Sequence, residues 1–227
     1  MIHSKDFVDW LETLGVDFYT GVPDSLLKPV CFYLADHAGD KHVVAANEGG
    51  AVALACGHHL ATGNVPLVYL QNSGQGNTIN PLLSLADSDV YSIPLLLLIG
   101  WRGEPGTKDE PQHVKQGKVT VNLLDAMDIP HRVLSEEPEA ARRCVGELLG
   151  IAAAESRPVA LMVRKDTFES YKPTVQATSD FEMTREEAIE AVVAALGESD
   201  AIVSTTGKLS RELYECRDRA GQGHQRE

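Results

Sequence analysis

Residues 42–81 read HVVAANEGGAVALACGHHLATGNVPLVYLQNSGQGNTINP, with Glu48 the single acidic side chain in a long run of small and apolar residues. Residues 43–46 have the β-branched character of a short strand, and residues 48–63 predict a helix that Gly63 closes. Residues 65–70 predict a second strand, after which Asn72-Ser73-Gly74-Gln75-Gly76-Asn77 turns the chain into another helix reaching toward Asp89. Strand, helix, strand and helix in so short a span form the repeating unit of a parallel sheet. A carboxylate that opens a buried helix is costly unless it is paired or protonated, which makes Glu48 the first candidate for chemistry. A first-turn carboxylate is also favoured by the helix dipole, and position alone leaves both readings open.

The same unit repeats outward from this stretch. Upstream, Phe7, Val8, Leu11 and Leu14 recur at helical spacing over residues 4–14, with Gly15 as the stop. Residues 16–20 predict a strand. It leads into Gly21-Val22-Pro23-Asp24-Ser25, where Asp24 or Ser25 is placed to cap a helix through Asp36. Downstream, residues 94–100 form a nearly all-aliphatic strand of the kind buried on both faces of a parallel sheet. Residues 101–116 read as a long polar loop, a length that points to function or mobility. A helix over 119–127, a strand over 131–134, a helix over 136–154 and a strand over 159–163 complete the pattern. The fold class is therefore α/β, a doubly wound six-stranded parallel sheet with helices on both faces. Ligands of such sheets bind at the carboxyl ends of the strands. Asp24, Glu48, Asn72 to Gly76 and the 101–116 loop all follow strands, so they share that edge.

Composition narrows the function classes. The chain has 227 residues, a formal net charge of −13, and 43% hydrophobic and 23% charged residues. That is an ordinary globular balance with no basic stripe for nucleic acid. The apolar run at 93–99 is far too short to span a bilayer, and the start of the chain lacks a signal-peptide pattern. Cys31, Cys56, Cys144 and Cys216 are widely spaced, as reduced thiols of a cytoplasmic protein would be, and no CxxC pair points to zinc. From Thr167 the composition shifts to Thr, Ser, Lys, Pro and Asp. The expected organisation is a domain over 1–168, a linker over 169–182, and the start of a second αβ unit over 183–227. Thr184 and Glu187 stand there at capping-box spacing, and residues 201–204 predict a strand.

Several motifs weaken on inspection. Thr206-Gly207-Lys208 falls short of a P-loop, because Leu209 replaces the required Ser or Thr and Ile202 stands where the first Gly belongs. His58 and His59 are adjacent on one helix and point about 100° apart, which argues against a shared metal. The 72–76 turn could set backbone N–H groups against an anion, or simply join strand to helix. His113, in Asp109-Glu110-Pro111-Gln112-His113, is a candidate for proton transfer beside a cleft, and a bare surface histidine otherwise.

Taken together, Gly21-Val22-Pro23-Asp24, Asn47-Glu48-Gly49-Gly50-Ala51, Ser73-Gly74-Gln75-Gly76 and the Gln112-His113 loop resemble the pyrimidine-binding domain of thiamine-diphosphate-dependent 2-oxo acid decarboxylases. The likeness covers residues 1–168, and residues 183–227 are similar to the opening of that family's diphosphate-binding domain. It implies a thiamine-diphosphate-binding fold and a carboxy-lyase acting on a small anionic 2-oxo acid, with thiamine diphosphate and Mg2+ as cofactors. Glu48 would then share a proton with a ring nitrogen of the aminopyrimidine, as a carboxyl group in apolar surroundings can. Asp24 and His113 would handle later proton steps, and Pro23, Asn72, Ser73 and Gly74 would line the pyrimidine pocket. Arg102, Lys108 and Lys115 are candidates for the substrate's anionic head. The family's metal-binding GDG-to-Asn motif is missing, so the metal ligands are expected outside this chain segment. The site would be completed by a homo-oligomer, at least a dimer, or by a separate diphosphate-domain chain, and the segment alone would turn over little. A non-catalytic partner that completes another chain's site is the rival from a different class.

Overall fold

The computed structural model describes residues 1–174, 181–197, 199–205 and 207–224. It divides into two compact units, Met1–Val175 and Gln176–Glu227. The first is built on six parallel strands: β1 (Tyr19–Gly21), β2 (His42–Val44), β3 (Leu67–Gln71), β4 (Leu95–Gly100), β5 (His131–Val133) and β6 (Pro158–Val163). They lie in the order β2-β1-β3-β4-β6-β5. The chain steps from β1 outward to β2 and then crosses back to place β3 on the other flank of β1. The direction of winding therefore reverses between β1 and β3, where open α/β sheets offer a crevice.

Alternation along the strands assigns the faces. Leu67, Tyr69, Leu96, Leu98, Val159 and Leu161 point into one core. It is closed by α1 (Ser4–Thr13), α2 (Lys28–His37) and α6 (Pro138–Glu155). Val68, Leu70, Leu95, Leu97, Ile99 and Met162 point the other way, toward Ala51, Val52, Ala55 and Leu124. These last belong to α3 (Glu48–Thr62) and α5 (Pro111–Ala126). A period of two with both sets buried is what a central parallel sheet requires. Between α3 and α5 the chain forms α4 (Gln75–Pro81) and a π-helical turn over Leu82–Ala86, where Pro81, lacking an N–H, ends regular α-helical bonding.

Three expectations are corrected. The polar stretch 101–116 is a loop only as far as Glu110. Pro111 occupies the first turn of α5, where its fixed φ suits a helix start, so His113 stands on a helix rather than in a loop. The segment PQHVKQGK has too few apolar residues for periodicity to reveal it. Asp24 and Ser25 do not cap α2, which opens from Leu27 without a side-chain cap. Residues 201–204 form no strand, having no described neighbour with which to build a ladder.

The segment after β6 stays with the first unit. Ile2 bridges to Phe168, and Tyr171 donates to Asp36 Oδ2 at 2.9 Å. Residues 175–180, the middle of the expected linker, lie outside the described residues, as does Thr206. The second unit is a pair of helices, α7 (Arg185–Ala195) and α8 (Lys208–Arg219), packed through Val193, Leu213 and Cys216. The Thr184–Glu187 capping box is formed, and Arg185 grips Glu212.

Candidate active site at the winding reversal

Each candidate residue after β1, β2 and β3 lies at the strand ends that flank the reversal. Asn47 caps α3, its Oδ1 accepting from Gly50 N at 2.8 Å, and Glu48 is the first helical residue. Its Oε2 accepts from Asn77 Nδ2 at 2.7 Å. A Cβ built on Gly74 would lie 2.1 Å from Glu48 Oε1, so the carboxylate rests where any side chain at 74 would be. Contrary to the expectation of a buried helix, Glu48 is partly exposed, and α3 carries Leu54 and Leu60 at 44% and 65% exposure. The helix is apolar nearly all round, but this chain covers only one side of it.

Asp24 is 5% exposed. Its Oδ2 accepts from Leu26 N at 2.7 Å, closing an Asx turn, and its Oδ1 accepts from Gln71 Nε2 at 2.7 Å. Oδ2 also lies 2.2 Å from the position of a Cβ on Gly100, so the carboxylate sits directly on the end of β4. Gln71 turns its Oε1 toward Ser73, whose hydroxyl donates at 2.6 Å. Pro23 is exposed beside Asp24, and Ser73 is exposed on the turn after β3.

Asn72, expected to line the pocket, is held on both sides of its amide. It is 1% exposed, and its Nδ2 donates to Arg102 O at 2.8 Å and Thr120 Oγ1 at 2.9 Å, while Oδ1 accepts from Arg102 N. It therefore stitches the end of β3 to the loop after β4 and to α5. Gly103 and Gly117 make the same seam tight: a Cβ on Gly117 would lie 1.7 Å from Gly103 O, and one on Gly103 would lie 2.0 Å from His113 O. His113 is fixed by that seam, and its Nδ1 is buried without a hydrogen-bond partner. No hydrogen bond joins His113 to Glu48 or Asp24 among the described residues.

Arg102 forks onto Asp109 through Nε at 2.8 Å and through the second guanidinium nitrogen at 2.5 Å, and its remaining nitrogen donates to Ser25 Oγ at 2.8 Å. The Arg102 hydrogen bonds hold the Asp109 carboxyl well below the usual carboxylate range, with the Glu110 and Gly103 N–H groups adding to the effect. Arg102 is thus largely committed within the protein. It borders a cleft of about 1180 Å³ that Ser25, Leu26, Trp101, Lys108 and Lys165 also line. Lys108 reaches this cleft, whereas Lys115 is exposed on α5. Among the described residues no three His, Cys, Asp or Glu side chains gather as a metal donor set.

The Glu48 carboxylate is thus tied to Asn77 through Oε2 and packed on Gly74 through Oε1, which has no hydrogen-bond partner among the described residues. The family model for the thiamine pyrophosphate enzyme N-terminal TPP binding domain matches residues 1–127. The chain belongs to the thiamine pyrophosphate enzymes. Phosphonopyruvate decarboxylase from Streptomyces hygroscopicus is 34% identical over 234 residues, 96% of this chain and 58% of the relative. Sulfopyruvate decarboxylase subunit alpha from Methanothermobacter thermautotrophicus is 33% identical over 153 residues, 67% of this chain and 90% of the relative. The chain thus spans somewhat more than half of the phosphonopyruvate enzyme and nearly all of the alpha subunit. In the solved structure of benzoylformate decarboxylase from Polynucleobacter necessarius the fold recurs with a TM-score of 0.54 at 19% identity, over 87% of this chain and 37% of that one. Within this thiamine pyrophosphate enzyme, Gln71 and Asn77 are the polar contacts that sequence reasoning passed over. Both lie in the opening stretch, but neither type stands out in a polar turn without knowledge of what it faces.

Proposed function

We propose that this chain supplies the pyrimidine-binding side of a thiamine-diphosphate-dependent decarboxylase. It would convert 3-phosphonopyruvate to phosphonoacetaldehyde and CO2. The observation that carries the reading is Glu48 at the winding reversal, with Oε2 tied to Asn77 and Oε1 open above Gly74. Thiamine diphosphate, when bound, supplies an electron sink for the carbanion left by departing CO2. Glu48 Oε1 would hold or release the proton exchanged with a pyrimidine ring nitrogen. Gly74 gives the Glu48 carboxyl group room to sit, and Pro23 and Ser73 would stand at the ring's margins with Asn72 holding the frame. Asp24 and His113 would serve the later protonation. Mg2+ would be held by residues outside those described.

Residues 1–168 would be the pyrimidine-binding domain, 169–182 a linker, and 183–227 the opening of the diphosphate-binding domain. The apolar outer side of α3 supports a working oligomer, at least a dimer, or a separate diphosphate-domain chain. The four free cysteines fit a cytoplasmic setting, and no described helix is long and apolar enough to cross a membrane. With Arg102 committed to Asp109, Lys108 is the better candidate for the dianionic head. Sulfopyruvate is the second reading, favoured by the 90% coverage of the alpha subunit. The similarity to phosphonopyruvate decarboxylase across 96% of this chain favours the first.

The test is an aldehyde-coupled assay of the gene product with thiamine diphosphate and magnesium, offering 3-phosphonopyruvate and 3-sulfopyruvate in turn. Glu48→Gln is expected to lower kcat by about 10² or more, as loss of an acid–base group does. Undiminished turnover in the variant would overturn the mechanism. A parent inactive on every 2-oxo acid would favour the assembly role.

A further inference from the structure

Helices α3 and α4 meet at their first turns with almost nothing between them. A Cβ on Gly49 would lie 2.9 Å from the Asn77 carbonyl oxygen, and a Cβ on Gly74 would lie 2.1 Å from Glu48 Oε1. Glu48 spans this gap, and one polar side chain from α4 reaches it: Asn77, whose Nδ2 donates to Oε2 at 2.7 Å. Among the described residues Oε1 has no hydrogen-bond partner. The two oxygens of one carboxyl group are therefore chemically distinct before any ligand arrives.

We infer that Asn77 is a positioning residue that chooses which oxygen of Glu48 faces the ligand and where its proton rides. The N–H group of Asn77 can only donate, so the oxygen it meets must present a lone pair and remain bare. A proton carried by Glu48 is confined to Oε1, the oxygen above Gly74, and moves from there to a ring nitrogen or back without any change of oxidation state. Holding the carboxyl plane by one edge also removes the rotation that would otherwise precede each transfer. This inference rests on the proposal that Glu48 meets the aminopyrimidine of thiamine diphosphate. Asn77 is exposed, so substitutions there leave the core intact.

The experiment uses the complete gene product, assembled with its diphosphate-binding side, in two measurements, calorimetric titration with thiamine diphosphate and magnesium and thermal unfolding at pH 7.5. Asn77→Ala is expected to weaken cofactor binding about five- to tenfold, because a carboxyl group no longer held by one edge must be ordered on binding, with the melting temperature nearly unchanged since the lost bond is solvent-exposed. Asn77→Asp sets two carboxylates against each other and is expected to lower both affinity and melting temperature. Adding Glu48→Gln to Asn77→Asp reverses donor and acceptor and is expected to restore the melting temperature but not the binding. Asn80→Ala, one turn along the same helix, is expected to bind as the parent does. Parent-like binding by Asn77→Ala, or a double variant no more stable than Asn77→Asp, would overturn the inference. A parent that fails to bind thiamine diphosphate while the thermal pattern holds would instead overturn the reading of the site on which it rests.

Discussion

Gln71 donates from Nε2 to Oδ1 of Asp24 at 2.7 Å, joining the last residue of β3 to the loop after β1. With Nε2 committed to that carboxyl group, the Gln71 amide turns its oxygen the other way. Its oxygen must face Ser73, and the Ser73 hydroxyl must donate inward at 2.6 Å. The lone pairs of Ser73 are left for whatever occupies the pocket. One amide thus sets the polarity of two candidate site residues.

Gln71→Leu should therefore leave Asp24 short of one donor. We expect a stability loss of about 1–3 kcal/mol, the cost of a buried polar group without its partner, read from urea unfolding. Turnover should fall in kcat more than in KM, because the substrate's contacts are not removed. Equal stability of Gln71→Leu and the parent would show that this contact carries no weight.

Gly74 and Gly76 provide a controlled pair. A Cβ at 74 collides with the Glu48 carboxylate, whereas a Cβ at 76 meets nothing within 4 Å. Gly76→Ala should hold or gain stability, by up to about 1 kcal/mol from helix propensity. Gly74→Ala should lose stability and bind thiamine diphosphate at least tenfold more weakly, measured by calorimetry. Identical behaviour of the two variants would contradict the close contact.

The Arg102–Asp109 pair makes a pH-dependent contribution whose sign follows from the lowered carboxyl. In the unfolded chain Asp109 titrates near the ordinary aspartate value, about 3.9, and in the fold it titrates well below that. Its stabilisation is complete above about pH 5 and fades as the pH falls through 4 and toward the folded value. Asp109→Asn should be less stable than the parent by a constant margin between pH 5 and 7. The margin should narrow in urea titrations from pH 4.5 to 3. A margin that widens on acidification would exclude the pair as its source.

The outer side of α3 makes an assembly prediction. Leu54 and Leu60 are 44% and 65% exposed on a helix whose only charged residue is Glu48, apart from the His58 and His59 imidazoles. Leu54→Glu, checked by light scattering on a sizing column, should shift the protein toward a smaller assembly while its circular dichroism is retained. Leu14→Glu, at an exposed leucine after α1, should not. An unchanged mass for Leu54→Glu would remove α3 from any subunit contact.

The sheet was legible because its strands are short apolar runs punctuated by glycine, and the alternation of Leu95 to Ile99 between two cores needs no long-range information. The common edge of Asp24, Glu48 and the 72–76 turn followed from the same punctuation. Three things were not legible. The start of α5 was hidden because Pro111 to Lys118 carries too little apolar periodicity. The half-exposure of Glu48 was hidden because an apolar helix reads the same in sequence whether one side of it or every side is covered. The partners Gln71 and Asn77 were hidden because a hydrogen bond between residues 47 or 29 positions apart leaves no local trace.

The glycine seam at 103 and 117 has a consequence for how such a protein can diversify. Backbone lying on backbone allows no side chain to be enlarged or trimmed there, so the placement of His113 is a fixed dimension of the scaffold. Between Gly103 and Pro111, in contrast, the loop bears side chains that face the 1180 Å³ cleft. Substitutions at Thr107 and Lys108 would change the shape and charge of the cleft while sparing Asp109, which holds Arg102 and the Gly103 N–H beside that seam. The loop and the seam can therefore vary separately, and a library confined to Thr107 and Lys108 would alter the cleft while leaving the seam in place.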